Sequence, residues 1–335
     1  MYKRQIRSIW GVRMVRLFFS TDVHGSDLVW RKWLNTPKQR GAQVVLFCGD
    51  LTGKSVIPII QKKDNLWTCK VVGRNWELHS MEEVKKMQQR IADLGYYSKI
   101  MTPEEVRELQ ANPKKVDKLF EELMCERLRN WLNMAVETLG KDITLYVMPG
   151  NDDELYIDEV IKEFDKEYEN IIYPLGKAVE IPGLPGYEMI SFDYVNPTPW
   201  NTPREDSEKG LWKRLEKLAN QVSVDWNHVL CNFHCPPYNT KLDVAPKLDK
   251  HLKPVTYAGT PVYEHVGSKS IRKFHEKYQP LLGLHGHIHE SYASDKIGKT
   301  IVVNPGSEYM SGVLRGFIID ITPDGGLERY WKVEG

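Results

Sequence analysis

The sequence predicts an α/β protein, and two observations carry that prediction. Five short apolar runs each pass directly into a loop bearing Asp, Asn or His, as strands do when their carboxyl ends gather a ligand. Between the second and third runs lies a long amphipathic stretch of the kind that covers such a sheet.

In chain order, the first run (15–20) ends at Thr21-Asp22-Val23-His24-Gly25, and Leu28, Trp30, Trp33 and Leu34 then mark a short helix. The second run (44–48) ends at Gly49-Asp50, and the third (143–148) at Pro149-Gly150-Asn151-Asp152. The fourth (229–233) precedes His234, and the fifth (281–284) precedes His285-Gly286-His287-Ile288-His289. Residues 114–139 predict a helix whose stripe is Val116, Phe120, Leu123, Met124, Leu128, Trp131, Leu132, Ala135 and Leu139, stopped by Gly140. Residues 61–113 read as a mainly helical insertion, or cap, that leaves the chain on the Asp50 side. Within it, 66–72 and 76–78 flank Gly73-Arg74 like a hairpin, while Ser80 and Thr102-Pro103-Glu104-Glu105 read as helix starts. The second half alternates strands (178–181, 187–192, 300–303, 313–321) with helices near 207–221 and 268–278.

The chain has 335 residues, a length that allows about two domains at ~150 residues each, yet the donor-bearing loops run through it as one domain over 14–335. Tyr2-Lys3-Arg4-Gln5 matches what the end of a common sequencing adapter encodes, so the natural start is expected at Met14, with 1–13 a non-native extension. Hydrophobic content of 41% and charged content of 27% are those of a soluble globular protein, not of a disordered or fibrous one. A net charge of +1 argues against a protein that coats nucleic acid or an anionic membrane. No apolar run approaches the ~20 residues that cross a bilayer. Five cysteines without a C-x-x-C pair read as reduced thiols in a cytoplasmic protein. Cys231 and Cys235 bracket His234, but no second pair completes a zinc site, and they read as buried small hydrophobes.

Chance sets the weight of each motif. Composition alone yields an Asp-x-His about 0.6 times in this chain, so Asp22-x-His24 says little, whereas Gly286-His287-Ile288-His289 is expected only about 0.02 times. Asp22, His24, Asp50, Asn151, His234, His287 and His289 together make seven oxygen and nitrogen donors. That is too many for one tetrahedral zinc and suits two metal ions sharing a carboxylate.

The ordered set D-x-H, G-D, G-N, H and G-H-x-H resembles the calcineurin-like metallophosphoesterase superfamily. The stretches His265-Val266-Gly267-Ser268, Leu284 to Glu290 and Asn304-Pro305-Gly306-Ser307 are similar to its Icc-related branch. The resemblance implies a four-layer αββα sandwich. It implies Asp22, His24 and His289 on one divalent ion, Asn151, His234 and His287 on a second, and Asp50 bridging them. The ions suited to these donors are Mn, Fe, Zn, Co or Ni. The implied activity is hydrolysis of phosphate esters, phosphodiesters above all, by in-line attack of a metal-bridging hydroxide.

One position departs from the family pattern. Where most members have His after the Asn, this chain has Asp152, followed by Asp153. A carboxylate beside two cations is expected to have a depressed pKa and to be a poor proton donor, so Asp152 is a candidate catalytic residue that favours activated diesters. His265, Ser268 and Arg272 are candidates for substrate binding, since free N–H groups at a helix start can hold phosphate; an ordinary N-cap is the competing reading of Ser268. His285 reads as support or core, and His79, His228, His251 and His275 as surface or core. The expected partner is a small phosphoester. A nuclease acting on RNA or DNA ends is the second enzymatic reading, a non-catalytic scaffold the reading from another class, and self-association stays open.

Overall fold

Alternation along single strands decides the layering of the molecule. The structure, a computed structural model, describes residues 14–335; the expected non-native extension over 1–13 lies outside the described residues. In Val15–Ser20, Val15, Leu17 and Phe19 face one apolar cluster and Phe18 faces another. Val44–Cys48 splits the same way, with Val44, Leu46 and Cys48 on one side and Val45 and Phe47 on the other. Side chains two apart share a sheet face, so a strand without polar positions must be covered on both.

Two six-stranded sheets result. The first has the order Gly326–Glu334, Arg315–Thr322, Val15–Ser20, Val44–Cys48, Thr144–Met148, Ile171–Ile172. The second has the order Ala293–Ile297, Thr300–Asn304, Leu282–Leu284, Val229–Phe233, Leu184–Phe192, Ala178–Ile181. Leu17, Phe19, Leu46, Tyr146 and Met148 of the first sheet share a cluster with Met189, Leu230, Leu282, Leu284 and Val303 of the second. The far face of the first sheet packs on the helices Asp27–Arg40, Pro113–Leu139 and Ile157–Glu167. That of the second packs on Glu208–Ala219 and Lys269–Tyr278.

The long helix is joined to the shorter one by indoles. Trp30 stacks between Trp33 and Trp131, with centroids 4.9 and 4.8 Å away, and the Trp131 Nε1–H donates to Asp27 Oδ1 at 2.6 Å. Losing one such ring from a core costs about 3–5 kcal/mol. The buried stripe of this helix begins at Leu119 rather than Val116, which is exposed.

The excursion expected over 61–113 begins earlier and also carries a sheet. Arg74–Leu78, Leu66–Val71, Val56–Lys63 and Tyr97–Met101 pair in that order, backed by the helices Met81–Asp93 and Pro103–Ala111. Ile59, Trp67, Cys69, Val71, Val84, Met87 and Ile91 give this wing its own core. It is fastened where it returns: Ser26 Oγ donates to Asp93 O at 2.6 Å, and the Gly53 N–H to the Tyr97 hydroxyl at 3.0 Å. The edge strands Ala293–Ile297 and Gly326–Glu334 were not expected, because charged residues interrupt their apolar pattern, as edges require. Among the described residues no helix is long and apolar enough to cross a membrane.

Candidate metal centre

Parallel pairing brings the donor-bearing loops to one edge. Val15–Ser20, Val44–Cys48 and Thr144–Met148 run parallel, so the loops with Asp22 and His24, Asp50, and Asn151 emerge side by side. Val229–Phe233 and Leu282–Leu284 are likewise parallel and deliver His234, His287 and His289. All seven sequence-predicted donors therefore lie in one place.

They sort into two clusters. Single donor atoms of Asp22, His24 and His289 lie within 4.8 Å of one another, and so do those of Asp50, His234 and His287. Asp50 Oδ2 stands between the clusters, 3.5 Å from His24 Nε2 and 3.3 Å from His234 Nε2. Asn151 Oδ1 is 3.0 Å from His234 Nε2.

Proton accounting shows that this geometry calls for a cation. His234 Nδ1 lies 2.6 Å from Cys48 O and must donate to it, which leaves Nε2 a bare acceptor in the neutral ring. Asn151 Nδ2 donates to Thr202 Oγ1 at 2.9 Å, so the atom facing His234 is the amide oxygen. Two lone pairs 3.0 Å apart need a proton or a metal between them. His24 Nε2 and His289 Nε2 are also 3.0 Å apart, and either a ring N–H or an ion can join them. Borderline nitrogen and oxygen donors oriented by a backbone carbonyl are what a divalent transition metal prefers, and the residues fit such an ion.

The backbone is bent to make this possible. Asp22, His24, Asp50 and His287 all have positive φ, at 55°, 41°, 54° and 68°. Such left-handed conformations in non-glycine residues cost free energy and cluster at functional sites. The bends need room: a Cβ on Gly49 (φ 93°) would lie 2.5 Å from Gly150 Cα, and one on Gly150 would strike the Asp50 carboxylate.

Charge follows burial and pairing. Burial alone would raise the Asp50 carboxyl, but the neighbouring His234, His24 and His287 hold it well below the usual range. His234, which burial would neutralise, is pushed well above its ordinary value by Asp50 and Asp22. Burial carries His24 down to about 3 and His287 down to about 4. In the protein alone, then, the positive charge that the carboxylates demand resides chiefly on His234 and on His289, which Asp22 raises.

Asp152 sits at the rim. Its N–H donates to Asp50 Oδ1 at 3.0 Å, and its carboxylate is ion-paired with Lys54 and 4.0 Å from His24 Nδ1. Burial and the nearby Asp50 push it up to about 6, against the pull of Lys54. The depression expected from the sequence needs the charge of bound cations and is not a property of the protein groups alone.

The neighbouring Asp153 does something different. Its fully buried carboxylate accepts from the N–H groups of Leu51, Thr52 and Gly150 at 3.0, 2.9 and 2.8 Å, latching the Asp50 loop to the Asn151 loop. Arg204, itself buried, donates to Asp153 O, Asp193 and Asp158. Ser307 Oγ donates to Asp22 O at 2.6 Å, and Asn304 Nδ2 to the carbonyls of Gly286 and Ile288. Sequence reasoning missed the roles of Asp153, Arg204 and Lys54; the only signal for Asp153 was its place beside the Gly-Asn pair.

The three residues expected to bind substrate have other partners. The start of the Lys269–Tyr278 helix is taken by the Glu208 carboxylate, which accepts from the Lys269 and Ser270 N–H groups at 2.9 and 2.7 Å and from Ser268 Oγ at 2.9 Å. Ser268 also caps the helix in the ordinary way, accepting from Ile271 N–H. Arg272 donates to the carbonyls of Tyr238 and Asn239 and pairs with Glu276, and His265 Nδ1 faces Asp243 Oδ1 at 2.8 Å. The Glu208 carboxylate thus occupies the helix start that was expected to hold phosphate at Ser268, while His265 and Arg272 are engaged by Asp243 and by the Tyr238 and Asn239 carbonyls. Cys231 and Cys235 are free and buried in the second sheet's outer core. His285 donates from Nδ1 to the Phe233 and Cys235 carbonyls on either side of His234, and His275 Nε2 is 3.1 Å from its Nε2.

Comparison with known proteins gives the chain a fold and a family. The chain is 36% identical over 160 residues to an uncharacterized protein of Methanocaldococcus jannaschii, a match that takes in 47% of this chain and 62% of the relative. The chain thus spans less than two thirds of the length of the curated relative it matches. Two crystal structures share the fold over 96% of this chain and 99% of theirs. One has a TM-score of 0.57 at 14% identity; the other, from Thermus thermophilus, has 0.54 at 10%. Residues 15–291, the span that carries all seven donors, match the calcineurin-like phosphoesterase family. With the ordered donors, the fold and the family match in agreement, the chain belongs to the calcineurin-like phosphoesterases.

Proposed function

We propose that the protein hydrolyses phosphate esters, phosphodiesters in preference to monoesters, at a centre for two divalent cations. The observation that carries this reading is the single oxygen of Asp50 set between His24 and His234, at 3.5 and 3.3 Å. One carboxylate oxygen between two donor clusters is the arrangement two ions share. Asp22, His24 and His289 would hold one ion and Asn151, His234 and His287 the other, drawn from Mn, Fe, Zn, Co or Ni.

When bound there, such ions supply Lewis acidity to phosphoryl oxygens and lower the pKa of water between them. The chain's own residues confine and orient. Asp22, His24, Asp50, Asn151 and His234 are buried, so the phosphate reaches the centre from the side of His287, His289 and Asp152, which are partly exposed. Donors locked by the Asp153 latch and by the His234–Cys48 bond need little reorganisation as charge develops. Asp152 stands where the family pattern places a histidine, and an ionised carboxylate has no proton for a leaving alkoxide. Esters whose leaving groups need no proton, such as aryl diesters, are the favoured substrates.

The test loads the protein with Mn, Zn, Ni or Co, counts bound ions, and then assays chromogenic mono- and diesters and a short oligonucleotide. Two ions per chain and faster turnover of the aryl diester are expected. Two bound ions with no ester hydrolysed would favour a scaffold instead. Asp152→His is expected to raise turnover of diesters with alkoxide leaving groups; no gain there would remove the role given to Asp152.

A further inference from the structure

Lys54 is the cation at the mouth of the centre. Its side chain is 55% exposed while its ammonium is ion-paired with Asp152, whose own side chain is 16% exposed. The other ion pairs in the cluster join its own carboxylates to its own imidazoles. Asp152 in turn hangs from Asp50 through its N–H and lies 4.0 Å from His24 Nδ1, so the ammonium it holds sits at the rim beside Asp50 and His24. The Tyr309 ring, 4.9 Å from the His24 ring and 6.0 Å from that of His289, lies on the same side.

The backbone that presents Lys54 is fixed. Leu51 and Thr52, just before it, are held by Asp153, and the Gly53 N–H is held by the Tyr97 hydroxyl. Gly53 admits no side chain, because a Cβ there would collide with Gly95 O. A bare carboxylate at this mouth would repel an anionic ester. The ammonium cancels that charge and, with three donors of which Asp152 engages only part, keeps N–H groups for a second acceptor. Burial works against its charge, but Asp152 and Asp50 outweigh it and keep the ammonium protonated.

We propose that Lys54 is a phosphoryl-binding residue, whose ammonium donates to a non-bridging oxygen of the phosphate ester, and that Asp152 is the positioning residue that keeps it at the rim of the centre. The inference rests on the phosphoesterase reading and deepens it. No bond is made or broken by Lys54; it binds the anion and neutralises charge that grows on its oxygens during displacement. Charge-assisted hydrogen bonds of this kind are about twice as strong as neutral ones.

The test compares wild type, Lys54→Met, Lys54→Arg and Asp152→Asn, all loaded with Mn. Bound metal, thermal stability, the affinity for inorganic phosphate by calorimetry, and kcat and KM for an aryl phosphodiester are measured. Lys54→Met is expected to keep its metal and its stability, to bind phosphate about tenfold more weakly, and to lose about tenfold or more in kcat/KM. Lys54→Arg is expected to recover most of the phosphate affinity, because the charge remains. Asp152→Asn is expected to raise KM more than it lowers kcat, as a loosened Lys54 would. Wild-type phosphate affinity and turnover in Lys54→Met would overturn the proposal, and so would loss of metal from that variant. A wild-type protein that binds phosphate through Lys54 yet hydrolyses no ester would defeat the phosphoesterase reading and leave the binding assignment standing.

Discussion

The two six-stranded sheets bring unlike chemistry to their common edge. The first supplies Asp22, His24, Asp50 and Asn151, mostly oxygen donors, three of them on left-handed backbone. The second supplies the three imidazoles His234, His287 and His289. Each side depends on the other for orientation. His234 is turned by the Cys48 carbonyl of the first sheet, while the Asp22 carboxylate accepts from the His287 N–H and its carbonyl from Ser307, both beyond the second sheet's strands. Left-handed backbone occurs on both sides, at Asp22, His24 and Asp50 on the first and at His287 on the second. Neither sheet contains a site by itself; the shared apolar layer between them sets the register in which the donors meet.

The sharpest break of this arrangement is at the shared oxygen. Asp50→Asn replaces the carboxylate oxygen that stands nearest to both His24 and His234, at 3.5 and 3.3 Å, and turnover of an aryl diester is expected to fall by about a hundredfold or more. Metal analysis should show fewer ions bound per chain. Unchanged turnover at full metal content would remove Asp50 from the centre.

A smaller break loosens only the first side. Asp153→Ala strands three buried backbone N–H groups, of Leu51, Thr52 and Gly150, and each unsatisfied donor costs about 1–3 kcal/mol. Denaturant titration is expected to show a loss of about 3 kcal/mol or more, with metal affinity falling alongside because two donor loops come apart. A fall in stability with intact metal affinity would mean the loops are held by something else.

The mildest test touches only the second side. His285 donates through Nδ1 to two carbonyls, so its Nε2 accepts from His275, whose Nδ1 has no partner. Both rings are therefore buried and neutral: burial lowers His275 well below its ordinary value and takes His285 down to about 4. Unfolding exposes imidazoles that bind protons below about 6.5. Between about pH 6.5 and 4 the unfolded chain thus holds more protons, and stability falls as pH falls. Each such ring contributes a slope of about 1.4 kcal/mol per pH unit. His275→Gln is expected to reduce that slope by about one ring's share, read from melting temperature against pH. An unchanged slope would show that His275 is charged in the folded protein.

Much of the arrangement was legible in the sequence. The runs at Val15–Ser20, Val44–Cys48 and Val229–Phe233 are strands with the expected bounds, because a strand buried on both faces is apolar at nearly every position and its polar end is abrupt. The wing was less legible: Val56–Lys63 mixes Pro58 and two lysines into an apolar segment, and its partner Tyr97–Met101 alternates only weakly. Ser268 illustrates the limit at the site. Its N-cap role could be inferred locally, but that Glu208, sixty residues earlier in the chain, fills the same helix start could not.

By itself the sequence determined the class of fold and the order of the loops that carry the seven candidate donors, because each depends on residues adjacent in the chain. Only the tertiary structure decided what surrounds them. The Asp153 latch spans 102 residues to Leu51, the Lys54–Asp152 pair joins the same two loops, and Glu208 occupies the helix start once expected to hold phosphate. A hydrogen bond between distant segments leaves no periodicity behind it. Its partners become neighbours only when the apolar faces of two sheets have closed on each other.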